Sequence, residues 1–385
     1  METPTTDTPL PRLVAYMTPQ GAWRFFRSLA GACPGSRLLW RLPWSLRSYP
    51  EAAEVAARAL ETYLATARAW HWTRWLPRPI ALCLLRWRYA GLRRMWDALP
   101  GAAGLCWNGF DRGRYLFAES ARRAGRPCLF AELAPLPGFL TLDPRGVNFA
   151  GSVPAEPAFY AAWIDRHPDA ADWRETGRHL TARPPRKTAA PAAPAARVEG
   201  PFVFVPLQVP GDSQIRYFGG WIDSVESLVR AVQAASDHLP VGWRMVIKEH
   251  PSSRVPLGHL VDPARHPRCV LDNATDTFEL VRRSRAVITI NSSVGLQSFY
   301  FDKPVVVLGR AFFGFEPLVA RPASQAELDA RMADADRLGF DPVLRDRFMR
   351  YLVSAYYFPA NLRAEGLDAA QRGRLAALLR GERDA

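Results

Sequence analysis

The sequence predicts an α/β protein of two doubly wound domains, closed by a helical C-terminal tail. Three observations carry that reading. Apolar runs of strand length alternate with helix-length stretches in both halves. The runs are apolar throughout instead of at every second position, which marks parallel strands covered on both faces. A segment rich in Pro and Ala, RPPRKTAAPAAPAARVEGP (183–201), stands between the halves and reads as a semi-rigid linker.

In chain order, LVAY (13–16) reads as a strand, and several helical stretches fill the rest of residues 1–100. GLCW (104–107) is a strand, 113–124 a helix and PCLFAE (127–132) a strand. Beyond the linker come FVFVPL (202–207), a helix over 224–235, RMVIKE (244–249) and a helix over 275–283. AVITI (286–290), a helix beginning at 294–299 and PVVVLG (304–309) complete the alternation, and 341–381 reads as helical. The expected domains are therefore 1–182 and 202–340, with the linker at 183–201 and C-terminal helices over 341–385. Two Rossmann-like domains joined in this way suggest the GT-B architecture of glycosyltransferases. The domains would face each other across a cleft that holds the active site.

Composition narrows the class. A chain of 385 residues suits two domains of about 150–200 residues each. A hydrophobic fraction of 48% and a mean hydropathy of −0.14 are those of a soluble globular protein. The longest apolar runs, such as 80–85, fall far short of the roughly 20 residues needed to cross a bilayer. The opening METPTTDTPLPR lacks the apolar core of a secretory signal. Five cysteines (33, 83, 106, 128 and 269) lack metal-ligand spacing, and an odd count without a framework fits a reducing cytoplasm.

The net charge is +13, and most of it lies early: residues 1–128 hold 19 arginines against eight acids. Such a half could attract nucleic acid, an anionic membrane or an anionic substrate. Only three lysines occur, at 187, 248 and 303, and the last two sit inside motifs taken up below, a hint of chemical need. Between 67 and 96, Trp70, Trp72, Trp75, Trp87 and Trp96 are interleaved with arginines. That pattern suits a membrane headgroup interface or single-stranded nucleic acid. No nucleic-acid fold signature accompanies it, which favours membrane. The alternative is that the tryptophans are core and the arginines snorkel past them.

Ligands of doubly wound sheets bind beyond the carboxyl ends of the strands, so polar residues matter most there. Glu132 ends one run. The strand 202–207 leads into Gln208 and Asp212, and 244–249 leads past Lys248 into His250 and Pro251. The strand 286–290 leads into Asn291, Ser292, Ser293 and Gly295. The two serines and the first N–H groups of the following helix would form an anion site; the alternative is that Ser293 simply caps the helix. His250 could contact a phosphate or donate a proton to a leaving group, or merely bond a loop carbonyl. Asp212, after Pro210-Gly211, could be a turn aspartate, and Glu132 a carboxylate fixing a Pro-rich loop. Asp143-Pro144-Arg145-Gly146 reads as a turn. Asp334-Ala335-Asp336 has the spacing of a metal-binding acid pair, yet it lies in an Ala-rich helical stretch and reads as a solvated face. No His/Cys cluster suggests zinc.

Five motifs in order give the sequence a family resemblance. They are WNG (107–109), Glu132 followed by PGFLTLDPRGVN (137–148), FVFVPLQVPGDSQI (202–215), VIKEHPSS (246–253) and INSSVGLQSFYFDKPVVVLG (290–309). Together they resemble the capsule polysaccharide biosynthesis/export family of the KpsS/KpsC type, most nearly its KpsS-like branch, over about half the chain. The resemblance implies a GT-B fold and a retaining transferase that moves β-Kdo from CMP-Kdo to a lipid or lipid-linked acceptor, without a metal or other cofactor. It implies a peripheral protein on the cytoplasmic face of the bacterial inner membrane. Its partners would be the CMP-sugar, the acceptor, the anionic membrane surface and other capsule assembly proteins, with no nucleic acid.

Carried over by position, the aspartate of the family's QxxxD pattern is Asp212, preceded by Gln208, and it would be the nucleophile. Glu132 would be the base for the acceptor hydroxyl. His250, Pro251, Ser292 and Ser293 would contact CMP, with Lys248, Asn291 and Gly295 beside them. Asn108, Gly109 and Asn148 would lie on the acceptor side. Retention requires two displacements, hence a carboxylate nucleophile and a separate base. The departing CMP needs its phosphate charge stabilised, which a helix N-terminus with His250 or Lys248 can do. One departure bears on the acceptor: residues 133–137, LAPLP, lack the aromatic-Leu-Arg-Pro run common in the family. Two other readings stand beside this one. A transferase of CMP-sialic acid or another ulosonic acid, with an HP motif, would keep the CMP site, and the sialyltransferase type inverts and needs no nucleophile; a non-catalytic capsule assembly or export component would not need the donor.

Overall fold

Each apolar run forms a strand in the computed structural model, and four further strands join them. The structure describes residues 10–16, 22–66, 71–178, 180–182, 198–253, 255–360 and 366–381. Among these the strands are β1 (Leu13–Tyr16), β2 (Arg37–Leu39), β3 (Ala103–Trp107), β4 (Cys128–Leu133), β5 (Phe139–Asp143), β6 (Phe202–Pro206), β7 (Arg244–Lys248), β8 (Cys269–Leu271), β9 (Ala286–Thr289), β10 (Val305–Val307) and β11 (Tyr357–Pro359). They form two sheets, ordered β2-β1-β3-β4-β5-β11 and β10-β9-β6-β7-β8.

The second sheet is wholly parallel, and its faces explain the unbroken apolar runs. Val203, Val205, Met245, Ile247 and Ile288 pack with Leu228, Val229 and Val232 of the helix Val225–Ser236. The alternate positions Phe202, Phe204, Val246 and Val287 pack with Phe278, Leu280 and Val281 of the helix Thr277–Arg283. Both faces are covered along the middle of the strands, so polar residues are confined to the strand ends, at Arg244, Lys248 and Thr289; each buried apolar side chain contributes about 1.5–3 kcal/mol. The first sheet is parallel from β2 to β4. β5 then turns back antiparallel on β4, and β11 pairs antiparallel with β5.

Two expectations are corrected here. Glu132 does not end its strand: β4 runs on to Leu133, and Glu132 lies opposite Thr141 of β5. The C-terminal stretch is not all helix. After the helix Pro342–Tyr351 the backbone passes through a wider π-type turn and forms β11 before the helix Ala369–Arg380. β2, β8 and β11 span three residues each, too few to show a period.

The chain divides into two units along lines that differ from the expected boundary. One comprises Met1–Ala134, Gly138–Ser152 and Ala355–Ala385, and the other Pro135–Pro137 and Val153–Ser354. Residues 153–182 join the second unit because the helix Pro157–Arg166 packs on Pro342–Tyr351, with Tyr160 and Trp163 edge-on to Tyr351. Residues after 354 return to the first because Phe358 and Leu375 close the face lined by Leu105, Leu129 and Leu140. A Pro/Ala run marks a loop in sequence, whereas a domain boundary is a matter of contacts. Most of the expected linker, 183–197, lies outside the described residues, and Val198 packs beside Phe202.

One packing oddity is testable. Arg345 is 1% exposed, and its guanidinium nitrogens have no hydrogen-bond partner among the described residues. It lies over the rings of Phe340 and Phe299, and burial pushes its pKa down. Replacing a poorly compensated buried charge by an apolar chain of similar length should stabilise, so Arg345→Met is expected to add about 1–3 kcal/mol. A urea melt checks it; a loss instead would mean that the two ring contacts outweigh the desolvation.

Candidate active site

β9, β6 and β7 are neighbours in the second sheet, and the loops at their carboxyl ends carry most of the residues singled out above. Gln208, just past β6, joins two of those loops. Its Nε2 donates to Asn291 Oδ1 at 3.0 Å and to Asp212 Oδ2 at 3.3 Å, and its Oε1 accepts from the Asn291 backbone N–H at 3.3 Å. Gln208 is only 5% exposed, so these bonds are made out of water, where they fix geometry best. Asn291 anchors the arrangement from below: its Nδ2 donates to the carbonyls of Gln214 at 3.0 Å and Phe218 at 3.1 Å. The result is a braced carboxylate at a strand end.

Asp212 is also a helix cap. Its Oδ1 accepts from the Gln214 N–H at 2.9 Å at the start of the helix Ser213–Phe218. The turn reading of this aspartate is thus correct as far as it goes, and the cap leaves Oδ2 on the Gln208 side.

On the β9 loop, Ser292 caps the helix Ser293–Gln297, accepting from Val294 N at 3.3 Å, and Ser293 is its exposed first residue. The cap expected at Ser293 therefore falls one residue earlier. The Ser292 N–H donates to the buried Thr289 hydroxyl at 2.9 Å. A helix of five residues has a weak dipole, so an anion here would depend on individual N–H and hydroxyl donors. Gly295 is needed for space: a Cβ there would lie 2.9 Å from Thr289 Cγ2 and 3.1 Å from the Phe313 ring.

After β7, His250 Nδ1 accepts from the Ser252 N–H at 3.0 Å. That bond, to a loop N–H, assigns the ring proton of the neutral form to Nε2. Pro251 follows in the turn, closed by Ser253 N–H donating to the His250 carbonyl at 2.8 Å. Lys248 is 8% exposed and donates to the Asn273 carbonyl at 2.8 Å. Burial pushes its pKa down, against the pull of Asp272 and Asp276. Its ammonium braces the 272–275 turn against β7. Among the described residues no three of His, Cys, Asp and Glu converge as a metal site would require, and Asp334 and Asp336 are exposed.

In the first unit, Asn108 and Gly109 leave β3 with positive φ angles of 42° and 78°. The Asn108 N–H donates to Ala131 of β4 at 3.0 Å, and a Cβ on Gly109 would run into the Phe130 ring. Gly109→Ala combines a left-handed backbone with a clash, and about 2 kcal/mol of lost stability is expected in urea; an unchanged midpoint would mean that the ring gives way. Glu132 Oε1 accepts from the Leu133 N–H at 3.0 Å. Asn148, also left-handed at φ 55°, belongs to a loop held by a residue that sequence reading took for a turn former. Asp143 is fully buried. Its Oδ1 accepts from Arg145 N–H at 2.7 Å, and its Oδ2 from Ser152 N–H at 2.7 Å, Ser152 Oγ at 2.8 Å and Tyr356 Oη at 3.0 Å. The only sequence signal was the carboxylate in DPRG, since Tyr356 is more than 200 residues away.

Comparison with known proteins adds the following. Residues 173–359 match the model of the capsule polysaccharide biosynthesis protein family. Over 287 residues the sequence is 32% identical to Protein FixF of Sinorhizobium fredii, covering 73% of this chain and 66% of that protein. It is 32% identical over 131 residues to the capsule polysaccharide modification protein LipB of Neisseria meningitidis, 31% of each chain. It is 30% identical over 122 residues to the capsule polysaccharide export protein KpsS of Escherichia coli, 29% of this chain and 31% of that one. The chain thus spans just under two thirds of the first relative and about a third of the others. In fold it is similar to Thermosulfurimonas dismutans KpsC, beta Kdo 2,7 transferase, with a TM-score of 0.53 and 14% identity over 95% of this chain and 98% of that one. The two α/β units are therefore those of a GT-B fold.

Proposed function

Because the chain belongs to the capsule polysaccharide biosynthesis family, matched over residues 173–359, we propose that it is a glycosyltransferase that moves β-Kdo from CMP-Kdo to a lipid or lipid-linked acceptor. The observation that carries this reading is the Gln208–Asn291–Asp212 cluster, which holds a carboxylate at the carboxyl edge of a parallel sheet. The relative named a beta Kdo transferase lends support through its fold.

In the proposed reaction the Asp212 carboxylate attacks the anomeric carbon of Kdo. The bond from that carbon to the CMP phosphate oxygen breaks, and CMP departs with the bonding pair. The acceptor hydroxyl, losing its proton to Glu132, then displaces Asp212 from the same carbon. Two inversions give net retention. His250, with its proton on Nε2, and the hydroxyl and N–H of Ser293 would stabilise the phosphate charge as CMP leaves. Lys248 acts at one remove, by holding the loop that follows β8. Neither a metal nor a separate cofactor enters this scheme. The protein would work as a peripheral protein at the cytoplasmic face of the inner membrane, where a lipid-linked acceptor resides.

The test is CMP release from freshly generated CMP-Kdo, read beside CMP binding by calorimetry. His250→Ala and Ser293→Ala are each expected to weaken CMP binding about tenfold, the worth of a charge-assisted hydrogen bond. A wild-type chain that neither binds CMP nor releases it from CMP-Kdo would sink the reading and favour an assembly component.

A further inference from the structure

The tryptophan belt noted in the sequence is split by the fold. Trp96 is fully buried and donates from Nε1 to Ser120 Oγ, and Trp72 packs against the same core. Trp70 lies outside the described residues. Trp87 and Trp75, in contrast, are 38% and 74% exposed, and they are joined by Trp40 and Trp44 at 62% and 71%. These four are the exposed tryptophans among the described residues, and all belong to the first unit.

Trp44 and Trp87 share a face because the loop after β2 is bound to the helix Arg78–Asp97. Ser45 N–H donates to the Trp87 carbonyl at 3.0 Å, and Arg88 donates to the Leu42 carbonyl at 2.9 Å. Gly91 lets the loop approach: a Cβ there would lie 2.5 Å from the Pro43 carbonyl. Trp44 and Leu46, 69% exposed, therefore flank a residue bonded to Trp87, and Ile80, 48% exposed, sits two turns back along the same helix face. Residues 37–50 and 71–96 contain nine arginines and no acid. Arg41, Arg47, Arg78 and Arg86 are exposed and form no ion pair among the described residues.

We propose that this face docks on an anionic lipid bilayer. Trp44, Leu46, Ile80 and Trp87 would enter the headgroup boundary, and the surrounding arginines would meet lipid phosphates. Amphipathic rings with cations and without acids match the charge and polarity profile of such a surface. A protein partner would need an equally acid-rich and apolar patch. The inference deepens the lipid-acceptor reading, but it rests on the geometry of the first unit and not on donor chemistry.

Flotation of the full chain with vesicles of phosphatidylcholine, alone or mixed with phosphatidylglycerol, tests it. Binding is expected only with phosphatidylglycerol present. It should weaken about tenfold or more in Trp44→Ser/Leu46→Ser/Trp87→Ser, and the lipid preference should vanish in Arg41→Gln/Arg47→Gln/Arg86→Gln. All six positions but Trp87 are well exposed, so an unchanged thermal melt should confirm that each variant is folded. Equal flotation of wild type and the triple serine variant, or of wild type with both lipids, would overturn the proposal. So would a wild-type dimer in solution that the serine variant abolishes, since the occupant would then be a second copy. Vesicle binding in a chain that neither binds CMP nor releases it from CMP-Kdo would uphold this surface while sinking the transferase reading.

Discussion

Asp212→Asn is expected to keep the protein folded while lowering Kdo transfer by about 10⁴-fold or more, the scale seen when a nucleophile that works with fixed partners is removed. The amide oxygen can still accept from the Gln214 N–H, so the cap survives and stability should move by less than about 1 kcal/mol. What is lost is the second oxygen, braced by Gln208 at 3.3 Å. Asp212→Ala should lose the cap as well, for about 1 kcal/mol. The measurement is a mass spectrum of each protein after incubation with CMP-Kdo, beside the rate of transfer. A mass gain of one Kdo in wild type that is absent from both variants assigns the nucleophile. Transfer within tenfold of wild type in Asp212→Asn would reduce Asp212 to a helix cap.

The largest stability effect is expected at a residue outside the proposed chemistry. Asp143→Ala should cost about 3–5 kcal/mol, because it removes a fully buried carboxylate that accepts from the backbone N–H groups of Arg145 and Ser152 and from the hydroxyls of Ser152 and the buried Tyr356. Tyr356→Phe removes one of these bonds and should cost about 1 kcal/mol. Urea denaturation gives the totals, and amide exchange over 145–152 localises them. Fast exchange in that loop at nearly unchanged global stability would show that Asp143 orders the loop without anchoring the sheet. A cost below about 1 kcal/mol would mean that the loop is held from elsewhere.

Much of this molecule could be read from its sequence. FVFVP, RMVIK and AVIT announce themselves because both faces of the second sheet are covered, and that burial keeps polar residues to the strand ends. The polar residues after those strands were legible for the same reason: where a buried run stops, the next side chain either caps a helix or meets a ligand. Gln208, Asp212, His250, Asn291 and Ser292 were singled out in this way, and the structure places each in a loop beyond the carboxyl end of a strand. Their local roles were not. Whether Ser292 or Ser293 caps, and which group the His250 ring accepts from, depends on backbone angles of a few residues that no periodicity encodes.

Tertiary structure alone decided everything that joins distant segments. Tyr356 reaches Asp143 across more than 200 residues, and β11 pairs with β5 although its three residues carry no pattern. Residues from Ala355 onward belong with the first unit because Phe358 and Leu375 find their apolar partners there. Four tryptophans are surface and two are core for a similar reason. All sit among arginines in sequence, but Trp96 points at Phe117 and Ser120, whereas Trp87 lies under a loop that leaves its ring exposed. A sequence determines the period of each element, since that follows from neighbours three or four residues apart. Which face of an element meets another, and which is left to solvent, is settled only by the packing of segments that the chain itself does not place side by side.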